Sequence, residues 1–221
     1  MLTELLLKMT LVGAEWVLWL LLLLSVISIA LIVERCLYFF NHRIDAEELG
    51  VELEKRLQAG DIRSAWELVK DSDCIEAEVV AAGLPALRRG ATACGEAMLA
   101  AKARLKPLVD ARMSVLATIG SNAPFVGLLG TVLGIVKAAK DLSGGDPGAV
   151  MAGVFEALVA TAVGLFVAIP AVVAFNLLQR RVRNTMAAVD SLAHVVLANI
   201  RVESRKAEAP FAAAPVAART T

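Results

Sequence analysis

The sequence predicts an all-α membrane protein with three transmembrane helices and a helical cytoplasmic domain. Hydrophobic residues make up 58% of its 221 residues, and the mean hydropathy is +0.69. Soluble domains are only about 45–50% apolar. Three stretches are long enough to cross a bilayer, since about 20 apolar residues span its hydrocarbon core. Aromatic residues are only 5% of the chain, and the excess of small and aliphatic side chains is typical of helices packed in lipid.

The first predicted span covers residues 15–34. It is bounded by Glu15 and by the pair Glu34-Arg35, and no charged residue lies between them. The stretch is longer than the roughly 7–15 apolar residues of a signal peptide, and no small-residue cleavage site follows it. We therefore expect a retained anchor, preceded by a periplasmic N-terminus at residues 1–14.

Residues 35–112 are expected to form a helical cytoplasmic domain. Leu49, Leu53 and Leu57 recur every four residues among charged ones, as on the buried face of a helix. After a break at Gly60, Asp61 is placed to cap the next helix. Further along, Pro107 predicts a kink or a helix start.

The second and third spans form a predicted hairpin. They cover residues 113–139 and 149–179, joined by a short turn at 140–148. A cytoplasmic helix at 180–206 and a disordered Ala/Pro-rich tail at 207–221 follow. Arginines cluster at Arg180, Arg181 and Arg183, which predicts a cytoplasmic C-terminus and a periplasmic turn by the positive-inside rule.

Small residues recur at steps of three or four along the second span, so they lie on one helical face: Gly120, Ala123, Gly127, Gly130, Gly134 and Ala138. In lipid, close approach of backbones drives helix association, so the stripe predicts helix packing. The amide of Asn122, in the same span, is expected to face another helix or a wet lumen. Pro124 is expected to bend the helix.

The third span carries the one acid within the uncharged stretches, Glu156. A charged group at the middle of a bilayer costs about 2.5–3.5 kcal/mol, so this carboxyl either lines a polar path or lies at the membrane rim. Thr161 shares a face with Gly164, and Pro170 follows. One chain with three spans cannot readily enclose a pore, but a homo-oligomer can.

Signatures of enzymes and of bound metals are missing from the sequence. There is no phosphate-binding GxxxxGK[ST], no HExxH and no GxSxG motif. Three cysteines without a CxxC motif and two isolated histidines predict neither a disulfide framework nor a zinc site. Acidic and basic residues balance at 22 each, which argues against nucleic-acid binding. We expect no enzyme activity, no cofactor and no metal.

Two stretches of the hairpin resemble the MotA/TolQ/ExbB proton-channel family, and its ExbB/TolQ branch in particular. They are residues 116–135 (LATIGSNAPFVGLLGTVLGI) and 156–171 (EALVATAVGLFVAIPA). The chain departs from the family pattern at Asn122, where a smaller residue is usual, and at Leu133, where many members have Trp.

The resemblance implies a homopentameric ring in the bacterial inner membrane around two copies of a single-span partner of the ExbD/TolR type. That partner carries a membrane Asp, and we expect no Lys or Arg in the spans to pin this Asp by a salt bridge. Thr131 and Thr161 would line the inner surface that faces this Asp, and Glu156 would shape the pore. The residues implied in helix packing and partner contact are Asn122, Gly127, Gly130, Gly134, Gly164 and Pro170.

Such a ring would convert the proton motive force into mechanical work on the envelope. The candidate processes are TonB-type uptake, Tol-type envelope maintenance and motility, through a TonB/TolA-like or motility protein. Two alternatives stay open. The chain could be a non-conducting three-span scaffold, or half of a permease, although permeases usually show internal repeats and none is evident here.

Overall fold

The structure is a computed structural model that describes residues 15–41, 46–72, 74–143 and 147–208. Within these ranges the chain forms seven α-helices, with a 3₁₀ helix at Leu84–Arg89 between the fourth and the fifth. The α-helices are α1 (Glu15–Asn41), α2 (Ala46–Gln58), α3 (Ile62–Lys70), α4 (Ile75–Gly83), α5 (Ala91–Val109), α6 (Met113–Ser143) and α7 (Pro147–Glu208).

The chain divides into two compact units. The span unit contains described residues 15–38 and 110–180, and the bundle unit contains described residues 39–109 and 181–208. Three helical stretches are long and apolar enough to cross a membrane, and they include α1, α6 and the first part of α7. The protein is therefore all-helical, with the composition of a three-span membrane protein.

The helices extend beyond the predicted spans. Helix α1 begins at the predicted Glu15 but continues to Asn41, and α6 continues beyond residue 139 to Ser143. Helix α7 is one uninterrupted helix where the sequence suggested a span and a separate cytoplasmic helix. Charged residues after residue 179 change the environment of a helix without breaking its backbone hydrogen bonds. Predictions for residues 1–14, for the centre of the turn at 144–146 and for the tail from residue 209 lie outside the described residues.

In the span unit, α6 and α7 run antiparallel and their backbones nearly touch. A Cβ atom added to Gly127 would lie 2.8 Å from the Ala160 carbonyl oxygen, and one added to Gly134 would lie 2.7 Å from the Ala157 Cβ. We call this contact the seam. Its small residues are Gly120, Ala123, Gly127, Gly130, Gly134 and Ala138 on α6, and Gly153, Ala157, Ala160 and Gly164 on α7.

Helix α1 lies along α6 and is held at two points. Near the start of α1, the Val17 side chain contacts the seam at Gly130. Further along α1, the Glu34 carboxylate accepts a hydrogen bond from the guanidinium of Arg112, which directly precedes α6. This packing adds the third apolar helix to the hairpin.

The outward surface of the span unit is strongly apolar. Trp19 on α1 is 72% exposed and Phe166 on α7 is 75% exposed, and many leucines, isoleucines and valines of the same helices are also exposed. A soluble monomer rarely exposes a contiguous apolar surface of this extent. The surface is suited to lipid or to other protein subunits.

The bundle unit contains short amphipathic helices, as the leucine spacing predicted. Leu49, Leu53 and Leu57 are all buried on α2. The predicted cap is confirmed, because the Asp61 carboxylate accepts a 2.9 Å hydrogen bond from the Ser64 amide at the start of α3. Pro107 lies inside α5, and the helix ends soon after it.

An acid is buried in the bundle unit. Glu76, in the first turn of α4, is 7% exposed. Burial raises the pKa of its carboxyl above the ordinary value of 4.5, and the positive charge of Arg181 opposes the shift. The Glu76 carboxyl therefore stays protonated in the folded unit at pH values at which it is ionised in the unfolded chain.

The close seam predicts that Gly127→Ala destabilises the protein. The new methyl group would meet backbone atoms of Ala160 and Thr161, and such overpacking costs about 1–3 kcal/mol. Gly95→Ala is the matched control, because its Cβ would lie 3.6 Å from a Leu197 methyl carbon. Thermal unfolding in detergent should show a lower Tm for Gly127→Ala and an equal or higher Tm for Gly95→Ala. Equal Tm values for Gly127→Ala and the wild type would contradict this packing.

The buried acid predicts a pH-dependent effect of Glu76→Gln. The stability contributed at this site falls as pH rises from 4.5 through the raised pKa, because the carboxyl must then ionise while buried. The variant should therefore slow amide hydrogen exchange of α4 relative to the wild type at pH 8, and leave it unchanged at pH 4. Glu78→Gln, which removes an exposed carboxyl two residues away, should change little at either pH. An effect of Glu76→Gln that is equal at both pH values would contradict the burial argument.

Candidate functional site

The polar residues predicted to carry function lie along the seam. Thr161 is beside Gly127, because a Cβ atom added to Gly127 would lie 3.1 Å from the Cα atom of Thr161. Gly130 faces Ala160 and Gly134 faces Ala157, so Thr131 is level with the part of α7 between Glu156 and Thr161. These last two residues are about 7.5 Å apart along the helix axis. The hairpin thus brings three polar side chains into one short stretch.

The Glu156 carboxylate is mostly buried and faces a lysine of α6. Its Oε2 atom lies 3.9 Å from Lys137 Nζ, and the two side chains are 24% and 35% exposed. Its Oε1 atom is buried and has no hydrogen-bond partner among the described residues. This pair was not predicted from the sequence. Lys137 lies within the predicted second span, and α6 continues past it.

The two threonines differ in how their hydroxyls are satisfied. Thr131 Oγ1 donates a 2.7 Å hydrogen bond to the Leu128 carbonyl of its own helix. Thr161 Oγ1 is buried and has no partner among the described residues. Among the described residues of α7, two buried side-chain oxygens therefore lack a hydrogen-bond partner, one on Glu156 and one on Thr161.

Buried polar atoms without partners are uncommon, because each loses its hydrogen bonds to water and gains none. The loss costs roughly 1–3 kcal/mol for each group. Where such atoms occur, a water, an ion or a group from another molecule often supplies the missing hydrogen-bond partner. A carboxylate oxygen can accept a proton, and a hydroxyl can donate or accept a hydrogen bond without a change of charge. The pair therefore has the chemistry of a site for protons or for a partner's polar group.

Asn122 lies on a different part of α6 and is exposed within the single chain. Its amide nitrogen donates to the Thr118 carbonyl at 2.9 Å and approaches Ser121 Oγ at 3.2 Å. Hydrogen bonds within α6 thus satisfy the amide N–H groups of Asn122, which we expected from the sequence to face another helix or a wet lumen. Pro170 is also exposed, whereas Gly127, Gly130, Gly134 and Gly164 are buried in the seam.

Lys137 is the residue that the sequence analysis did not pair with Glu156. In an antiparallel hairpin, residues at similar distances from the turn face each other. The predicted turn at 140–148 does not place these two residues opposite each other, because Lys137 lies three residues before it and Glu156 lies eight residues after it. Within the described part of the chain, no group of three His, Cys, Asp or Glu side chains could hold a metal ion.

Comparison with known proteins finds, over most of the chain, the family that the hairpin motifs resemble. Residues 71–191, more than half of the chain, match the MotA/TolQ/ExbB proton channel family. The biopolymer transport protein ExbB of Neisseria meningitidis serogroup A is 35% identical over 194 residues, which cover 79% of this chain and 86% of that protein.

Shorter stretches match other relatives at higher identity. The biopolymer transport protein ExbB-like 2 of Helicobacter pylori is 51% identical over 81 residues, 35% of this chain. The chain spans about half the length of that relative, 54%. The ExbB of Aquifex aeolicus is 46% identical over 90 residues, which cover 38% of this chain and 60% of that protein. Since both the family match and the Neisseria protein extend well beyond the hairpin, the chain belongs to the MotA/TolQ/ExbB proton channel family, as a multi-pass protein of the bacterial inner membrane.

Proposed function

We propose that this chain is the channel-forming stator subunit of a proton-driven motor complex. It would form a homopentameric ring around two copies of an ExbD/TolR-like single-span partner. Proton flow through the ring would move the partner and so perform work on the cell envelope. The chain itself would catalyse no reaction on a soluble substrate.

The observation that carries this proposal is the pair of buried, unpartnered oxygens on α7. Glu156 Oε1 and Thr161 Oγ1 lie in the helix pair that the family match includes, and neither has a hydrogen-bond partner in the described chain. A membrane carboxyl on the partner could exchange hydrogen bonds with the Thr161 hydroxyl in either protonation state, because a hydroxyl both donates and accepts. This would let the partner's acid take up and release protons without being trapped.

The apolar outer surface supports an assembly of several copies. Three helices are too few to enclose two guest helices, whereas a ring of subunits can do so. Large exposed side chains such as Phe125 and Phe155, 68% and 70% exposed, would then contact lipid or neighbouring subunits. In the proposed orientation, the N-terminus and the α6–α7 turn are periplasmic and the C-terminus is cytoplasmic. The arginines after residue 179 favour this orientation.

The process that is powered would be TonB-type uptake, Tol-type envelope maintenance or motility. The name ExbB, which several relatives carry, favours transport of a biopolymer. The choice among these processes depends on the partner's periplasmic domain. Co-purification of the partner would decide it.

Thr161→Val tests the proposal, because valine keeps the shape of threonine and removes its hydroxyl. In vesicles that contain the chain and its ExbD/TolR-like partner, we expect the variant to assemble normally. Its proton uptake, measured with a pH-sensitive dye under an imposed potential, should fall by about tenfold or more, as expected for loss of a group that acts in proton transfer.

Thr118→Val is the matched control. The Thr118 hydroxyl is exposed and donates to the Ser114 carbonyl of its own helix, so its loss should leave the flux unchanged. Full flux in Thr161→Val would contradict the role of Thr161. No flux in the wild type with its partner present would favour a non-conducting scaffold.

A further inference from the structure

A lysine on α6 faces the one acid of the α7 span. The Lys137 ammonium lies 3.9 Å from Glu156 Oε2, and both side chains are mostly shielded, at 35% and 24% exposure. Fully exposed ion pairs contribute little, because water screens their charges. Here the shielding by two apolar helices strengthens the attraction between the charges.

The distance between the two groups is longer than a hydrogen bond. Hydrogen bonds between nitrogen and oxygen are about 2.7–3.2 Å long. At 3.9 Å, the ammonium compensates the negative charge without donating directly to either carboxylate oxygen. The other oxygen, Oε1, is buried and has no donor among the described residues. The charge of the carboxylate is thus compensated, while its Oε1 atom stays open to a hydrogen-bond donor from outside the described chain.

Removing one member of a shielded pair leaves the other as an uncompensated charge, which is strongly unfavourable. Lys137 is the basic residue paired with Glu156 in the described chain. Without Lys137, an ionised Glu156 carboxylate would need another cation nearby. A small inorganic cation from solution is the available substitute.

We propose that Lys137 is a positioning residue for proton conduction. Its fixed ammonium holds the Glu156 carboxylate in the seam and occupies the place that an inorganic cation would otherwise take. Conduction in the wild type is therefore independent of the alkali cation in the medium. This inference rests on the proposed proton-conducting function.

The experiment compares Lys137 variants of the full chain, reconstituted with its partner in vesicles. Lys137→Met should reduce proton flux by about tenfold or more, because it leaves Glu156 uncompensated. Lys137→Arg, which keeps the charge, should stay within about twofold of the wild type. The remaining flux of Lys137→Met should rise when potassium chloride replaces choline chloride, whereas wild-type flux should not change. A purely structural role of Lys137 would not produce this dependence on the cation.

Lys140→Met is the matched control. It removes an exposed lysine one turn further along α6 and should leave the flux and its indifference to potassium unchanged. If Lys137→Met does not assemble, Lys137→Gln keeps a polar head group without the charge and is measured in its place, with the same expected results.

Two outcomes would overturn the inference while leaving the proposed function intact. One is wild-type flux in Lys137→Met. The other is an equal loss in the Arg and Met variants with no response to potassium. Absence of flux in the wild type would instead overturn the proposed function, and the role of Lys137 with it.

Discussion

The contact between the backbones of α6 and α7 determines the rest of the span unit. At Gly127 and Gly164, an added Cβ would lie 2.8 Å from a carbonyl oxygen of the facing helix. Only residues without a bulky side chain permit this distance. In a bilayer, where apolar side chains gain nothing by leaving lipid, such close packing supplies the attraction that a hydrophobic core supplies in water.

The same contact explains how a membrane helix can carry an acid and an unsatisfied hydroxyl. Because the two backbones are close, short side chains at the edge of the seam are shielded by the opposite helix. Glu156 can then reach Lys137 across the hairpin, and the Thr161 hydroxyl is removed from the outer surface. The cost of burying these groups is offset by packing along the whole seam. Their chemistry remains available to a proton or to a partner's side chain.

Much of this arrangement could be predicted from the sequence, because it follows from periodicity and polarity. The glycine and alanine stripe on α6 indicated one packed face, the leucine repeat at Leu49, Leu53 and Leu57 indicated a buried face on α2, and Asp61 indicated a helix cap. The uninterrupted course of α7 was harder to predict, because a change in polarity after residue 179 resembles a boundary while the backbone continues as a helix.

The partner of Glu156 was not predicted, because hydropathy assigned Lys137 to the end of a span. Pairing across a hairpin depends on the register of two helices, and composition does not contain that register. The family name came from motifs along the hairpin, whereas the lysine opposite the acid became visible only from three-dimensional contacts. Positions that pair across the seam are thus where the structure adds most to the sequence.

Disulfide cross-linking across the seam tests this account most directly. In a variant without the native cysteines, Ala138→Cys is combined with Gly153→Cys. A Cβ at Gly153 lies 3.1 Å from the Ala138 Cβ, within a few tenths of an ångström of the roughly 3.5–4.5 Å that a disulfide requires. The control pair is Val136→Cys with Gly153→Cys, because Val136 is exposed and lies about 160° around α6 from Ala138. Mass spectrometry of oxidised native membranes should find most chains of the first pair linked internally and few of the second. Equal linking of the two pairs, or none in the first, would contradict the seam.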